Sequence, residues 1–388
     1  MDRLHDPAVL ALPHPVRVDA ALGTPIEASL LGGDALRDRL RPLFLDPSVT
    51  SSWLLRSVPE LTRLAGLQMN APASYNLGTF LLLLARARLR VHGDPILAVA
   101  PALQRLLGAT DLTEGLPVRF FRAPYTTVYI AFPRPCALQV FNRATGLHEL
   151  EGAYVGSYEV PPHHILHERK TRGAALRLDP SRPTHVVELI FTGSPIGKRY
   201  ALDDASQDVT LFIQDEDECL SAMLARHNAY YAAPRGEDAG VLPPLPVEIA
   251  CATAAISELA KVLLYLNLPD AEKLMVTERS DLEQRLRGLG PRKAAKIGRK
   301  LTTAYDRILI GPSALPEGLG GAGQGGFLPR GTDRHVKPHW RRGHFRRIRY
   351  GEGLAESRLG WIQPVLVNAG ELVGAGAASV KTKPYVVR

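Results

Sequence analysis

Residues 126–160 read TTVYIAFPRPCALQVFNRATGLHELEGAYVGSYEV, and residues 185–213 read HVVELIFTGSPIGKRYALDDASQDVTLFI. Short runs rich in Val, Ile, Tyr and Phe alternate here with Pro, Gly and Asn, the texture of strands separated by turns. Strands are expected at 118–121, 126–132, 137–141, 153–160, 174–178, 185–191 and 209–213. The gaps are too short for crossover helices, so residues 117–214 read as an antiparallel sheet.

Outward from this sheet the apolar spacing becomes helical. Toward the N-terminus, helices are expected at 36–40, capped by Asp34 and stopped by Pro42, and at 54–67, 77–91 and 96–107. Residues 1–33, rich in Pro and Gly, read as an extended lead-in. Toward the C-terminus, helices are expected at 215–231, whose acidic first turn suits the positive end of the helix dipole, at 247–268 and at 292–310. The 247–268 segment carries Ile249, Ala252, Ile256, Ala260, Leu263 and Leu264 on one face and reads as the main core helix.

The fold class is therefore α+β. An N-terminal helical part (34–116), a central antiparallel sheet (117–214) and a second helical layer (215–310) form one body over 34–316. A glycine-rich linker (317–326), with six glycines in the nine residues 318–326, leads to a basic β-rich C-terminal module at 327–388.

Charge is divided unevenly along the chain. Residues 291–388 hold 18 of its 47 Lys/Arg and 6 of its 39 Asp/Glu, a net of +12, leaving 29 and 33, a net of −4, for residues 1–290. A mildly acidic body with a basic end is the asymmetry of a protein with a polyanionic partner. At 388 residues with 45% hydrophobic and 22% charged residues, the chain is long and ordinary enough to bury a large core. Its three cysteines, Cys136, Cys219 and Cys251, form no Cys-x-x-Cys pair, so neither a disulfide framework nor a thiolate zinc site is indicated. With no signal-like N-terminus, and with the most apolar run, 77–85, interrupted by Gly78 and Thr79 and far shorter than the roughly 20 residues that span a bilayer, a cytoplasmic protein without membrane contact is expected.

The basic end concentrates its charge. Seven cations fall between Arg334 and Arg349, interleaved with Trp340, Phe345, Tyr350 and three histidines. Cations grip phosphates and aromatic rings stack on bases, so Lys337, His339, Trp340, Arg341, Arg342, His344, Phe345, Arg346, Arg347 and Arg349 are the candidate nucleic-acid contacts. His339 and His344 are also candidates for metal-independent RNA cleavage, one imidazole accepting the 2′-hydroxyl proton and the other protonating the leaving oxygen. No metal or cofactor is expected at this segment. No carboxylate or thiol complements His335, His339 and His344, and the surrounding arginines repel a cation.

Other clusters carry weaker chemistry. His163, His164, His167 and Glu168 have ligand-type side chains but read as a solvated loop. Asp203, Asp204, Asp208 and the 215–218 acids match no calcium-loop spacing. The glycines of 318–326 lack the strand, the helix and the Gly-Lys-Ser/Thr of a phosphate loop.

The order of features in the C-terminal half resembles the type V-A anti-CRISPR family of phages and plasmids. The resemblance rests on Tyr305-Asp306-Arg307-Ile308-Leu309-Ile310-Gly311, on Lys337-Pro338-His339-x-Arg341-Arg342-Gly343-His344-Phe345, on the Tyr350-Gly351-x-Gly353 turn, and on Trp361-x-Gln363-Pro364-x-x-Val367-Asn368. Looser echoes lie at 128–130, 152–160 and 263–270. The resemblance implies a protein that lowers production of a CRISPR effector nuclease by recognising its nascent chain and provoking loss of its messenger. It points to Pro338, His339, Arg341, Arg342, Gly343, His344, Gln363, Pro364 and Asn368, with Gly351, Gly353 and Trp361 as further structural positions. The expected partners are a nascent polypeptide, such as a type V CRISPR effector, and RNA or the ribosome. Two other readings stand beside it: a ribonuclease using the two tail histidines, and a DNA-binding accessory protein of a phage or plasmid.

Overall fold

The computed structural model describes residues 3–26, 34–69, 76–112, 115–143, 145–162, 176–195, 201–202, 204–232, 244–312 and 339–367. Its helices are α1 (Pro7–Leu10), α2 (His14–Leu22), α3 (Asp34–Leu45), α4 (Ser51–Ser57), α5 (Pro59–Met69), α6 (Asn76–Val91), α7 (Pro101–Gly108), α8 (Leu220–Ala232), α9 (Pro246–Leu266), α10 (Glu278–Leu286) and α11 (Pro291–Leu301). The central strands are β1 (Ile96–Val99), β3 (Thr127–Ala131), β4 (Gln139–Asn142), β5 (Gly146–Val160), β6 (Thr184–Pro195), β7 (Ala205–Ile213), β8 (Lys273–Val276) and β9 (Arg307–Ile310). They form one eight-stranded sheet in the order β7-β6-β5-β3-β1-β9-β8, with β4 also pairing β5. The fold is α+β, as the sequence implies.

The antiparallel half of the sheet follows the sequence reading, with β5 running through fifteen residues between β3 and β6. The other half does not. Strand β1 lies parallel to both β3 and β9, so the whole sheet is mixed. The segment 96–107, expected as one helix, is instead strand Ile96–Val99 followed by helix Pro101–Gly108. Ala100, before the proline, is extended (φ −66°, ψ 141°) and divides them. A strand covered on both faces shows a continuous apolar run rather than alternation, and Ile96-Leu97-Ala98-Val99 therefore matches either pattern.

The same cause explains 292–310, expected as one helix. Only Pro291–Leu301 is helical, and Arg307–Ile310 is an interior strand paired on both sides. The intervening strand Lys273–Val276 and helix Glu278–Leu286 were not foreseen. Residues 54–67 split at Val58, which Pro59 forces into an extended conformation (φ −112°, ψ 102°). Pro42 does not stop its helix, which runs on to Leu45, with Pro42 O accepting from Asp46 N at 3.1 Å. Residues 118–120 form a 3-10 turn rather than a strand, and 176–178 are not a strand. Helix α8 starts at Leu220 rather than 215 because carbonyls of the acidic stretch are used elsewhere: Glu216 O and Glu218 O accept from Arg119 N and Val118 N.

The lead-in is also more structured than expected. Residues 7–10 and 14–22 are helical, and α2 inserts Arg17 into the body, where it contacts Glu151 and, at 2.6 Å, Asp204. Burial pushes the Asp204 carboxyl up, but the charges of Arg17 and His14 outweigh it and hold that carboxyl below its usual range. Arg134 reaches the other oxygen of Glu151, so one buried carboxylate holds two guanidinium groups. Its partners lie 134 and 17 residues away in sequence, a separation that no local pattern reveals.

The two faces of the sheet are covered differently. Val128, Ile130, Ala153, Val155, Val187 and Leu189 face the main core with residues of α7, α8 and α9. Tyr129, Ala131, Tyr154 and Ile190 form a second layer with Ala85 and Leu89 of α6. Helix α9 is, among the described residues, long and apolar enough to cross a membrane, yet here Leu259, Val262, Leu263 and Leu264 are fully buried in the core. Each such aliphatic side chain contributes about 1.5–3 kcal/mol on leaving water.

Candidate nucleic-acid interface

The basic segment, read as a module apart, is built onto the body over 339–367. Strand β10 (His339–Arg341) pairs antiparallel with β13 (Val365–Val367), and β11 (Gly343–Tyr350) forms a hairpin with β12 (Glu356–Ile362). Gly343 and His344 also pair in parallel with β2, the short strand Thr110–Asp111 that follows α7. Gly343 N donates to Ala109 O at 3.0 Å. A Cβ at Gly343 would lie 2.7 Å from both Pro364 Cδ and Thr110 Oγ1, and 2.8 Å from Ile362 O. Only glycine fits this seat, which accounts for Gly343 and Pro364 in the motif. Gly351 (φ 78°) and Gly353 (φ 62°) take backbone conformations that other residues rarely adopt, and they turn the hairpin.

Alternation along the strands gives the hairpin two faces. On the inner face Phe345 is fully buried, stacks on Trp361 (centroids 5.6 Å apart) and joins Leu359 in the main core. Trp361 meets Tyr265 of α9 edge-on at 5.7 Å and donates from Nε1 to Thr110 Oγ1 at 3.3 Å. Phe345 thus has no free ring face for a base, a correction to its place among the contacts. Its neighbour Arg347 shares the inner face opposite Leu359 and is half-buried, so it too is directed toward the body.

The outer face carries His344, Arg346, Ile348 and Tyr350 from one strand and Glu356 and Arg358 from the other, Glu356 being engaged by Tyr350. Arg346 and Arg358 are exposed, as are Arg341 before the hairpin and Arg349 at its tip; His344 is half-buried. Arg342 is exposed but pairs with Asp111 at 2.5 Å, a solvent-facing ion pair worth about 0–1 kcal/mol. Burial plays little part at Tyr350. Its hydrogen bond to Glu356, the register partner, raises the phenol above its usual value. The outer face is therefore cationic and rigidly seated, suited to phosphates by charge.

Several expected residues are placed only in part. Backbone register sets His339 opposite Val367 and Trp340 opposite Leu366. Gln363 is exposed and Pro364 buried. Lys337, Pro338, Asn368, the 317–326 linker and the 163–170 histidine cluster lie outside the described residues. The catalytic pairing of His339 with His344 has no geometry behind it in the described residues. Sequence reading missed Thr110, Asp111 and Tyr265, the residues that hold the hairpin. Thr110 and Asp111 sit at the end of a segment read as helical, and two strand residues give no periodic signal.

A family model, AcrVA2-like, the anti-CRISPR type V subtype A2 family, matches residues 97–369. The span takes in most of the central sheet, the core helix and the basic hairpin, and the chain belongs to this family of anti-CRISPR proteins. Among solved structures, a crystal structure of AcrVA2 is similar over 90% of this chain and 96% of that one, with 13% sequence identity and a TM-score of 0.47. No curated protein matches the chain.

Proposed function

We propose that this anti-CRISPR protein acts on expression of its target rather than on the assembled nuclease. The body recognises the effector polypeptide as it emerges during translation, and the C-terminal hairpin contacts the RNA or ribosome from which it emerges. Loss of the effector's messenger follows. The setting is the cytoplasm of a cell invaded by a phage or plasmid carrying this gene.

One observation carries the reading. The hairpin's inner face is spent on the core through Phe345 and Trp361, while Arg341, Arg346, Arg349 and Arg358 remain exposed. Like charges gathered on a seated strand pair repel one another, so their arrangement suits a polyanion. The test is binding of labelled single-stranded RNA to the full-length protein across a salt series. Changing all four arginines to Ala is expected to lower the slope of log affinity against log salt by about 3, since each phosphate that is no longer neutralised takes away roughly 0.7. An unchanged slope rules the hairpin out as the contact surface.

A further inference from the structure

Residues 285–300 contain Arg285, Arg287, Arg292, Lys293, Lys296, Arg299 and Lys300 and not one Asp or Glu. They lie on the helical pair α10 and α11, joined through Gly288 (φ 82°). The pair is fastened to the sheet: Asp306, beside strand β9, accepts from Arg279 N at 2.8 Å and Ser280 N at 3.1 Å, and Leu282 is buried.

At 100° per residue, the five cations of α11 fall within an arc of about 120°, while Ala294, Ile297, Gly298 and Leu301 occupy the remainder. Burial follows the same division. All seven cations are exposed, and those four small or apolar residues are half-buried. Among the described residues no carboxylate lies within ion-pairing distance of any of the seven. The nearby arginines outside the stripe are paired, Arg279 with Glu283 at 2.8 Å and Arg307 with Glu278 at 3.1 Å. The fold thus neutralises the neighbouring arginines and leaves one helix face unneutralised.

We propose that this helical pair is a second RNA-binding surface, gripping the phosphate backbone independently of the C-terminal hairpin. The stripe from Arg292 to Lys300 is about 12 Å long, at about 1.5 Å per residue. That length is the reach of a few consecutive phosphates of one strand. The choice of RNA as the polyanion rests on the reading under Proposed function; the preference for phosphate rests on the cations alone. The surface is also linked to the first one. Tyr265, which meets Trp361 of the hairpin edge-on, accepts from the backbone N of Glu272, just before strand β8.

The experiment uses the full-length protein and a fluorescein-labelled, unstructured 20-nucleotide RNA. The variant combining Arg292→Gln, Lys296→Gln, Arg299→Gln and Lys300→Gln is expected to bind at least tenfold more weakly at 100 mM salt. Its salt slope should fall by about 3, with unchanged melting because these side chains are exposed. Exchange of charge carriers, Lys296→Arg with Arg299→Lys, should retain binding. In the background of the four-arginine hairpin variant, the same fall should recur. If the α11 changes leave affinity and slope as they were, the inference is overturned. Displacement of the RNA by poly-glutamate at equal charge, or tighter binding of a duplex DNA of the same length, overturns it as well. Weakening only with the α11 changes upholds this surface and removes the C-terminal one; weakening only with the hairpin changes does the reverse.

Discussion

His227 shows how one buried side chain ties stability to pH. On α8 it is almost wholly buried, its Nδ1–H donating to Met223 O at 2.9 Å and its Nε2 accepting from Phe212 N at 2.9 Å. This is the neutral tautomer, and protonation would set a second N–H against the Phe212 N–H. Burial accordingly pushes its pKa down to about 4. Between about pH 6.5 and 4 the unfolded chain binds a proton that the folded chain does not. The stabilisation, on the order of 3 kcal/mol, is therefore complete above pH 6.5 and is lost as pH falls through that window. Urea midpoints at pH 7 and 4.5 should show wild type losing about 2–3 kcal/mol more on acidification than His227→Gln. Equal losses would remove His227 from the account. Asp204 does not confuse this comparison. Its carboxyl is held low, so its contribution is present above its unfolded value near 3.8 and fades only as pH falls further.

At the scale of the element, the hairpin depends on a seat that tolerates no added atom. Gly343→Ala would press a Cβ against Pro364, Thr110 and the Ile362 carbonyl, and neither the proline ring nor the carbonyl can turn away. The expected cost is about 1–3 kcal/mol in chemical denaturation, with RNA affinity falling as the hairpin shifts. A fully stable Gly343→Ala protein would mean that β11 does not sit on β2 as described. The hairpin also marks what the sequence could convey. Strands β3, β6 and β7 were legible because turn residues bound them and β-branched and aromatic residues fill them. The arginines, the turn glycines and the core helix were legible for similar local reasons. Strand β1 was not, because burial on both faces removes the alternation that separates strand from helix, and in β9 the unbroken Ile308-Leu309-Ile310 run, buried at Ile310 and half-buried before it, reads equally as helix. The arginines around Phe345 point to a base-stacking residue; which side of the strand faces the body is set by pairing with Thr110 and by Tyr265, far away in the chain.

For the molecule as a whole, the docked hairpin changes what cooperation between the parts requires. Phe345 and Leu359 belong to the same core as α9 and the central sheet, so removing the basic end exposes core side chains. On the proposed function, recognition of the target and contact with RNA would accordingly fall to two surfaces of one folded unit. The central claim is that target recognition occurs during translation, and messenger stability tests it most directly. Cells expressing the protein would carry two versions of the effector gene, identical except that one has its start codon removed, and decay of each messenger would be followed after transcription is stopped. The account expects rapid loss of the translated messenger and protection of the untranslated one. Equal decay of both would contradict recognition of a nascent chain.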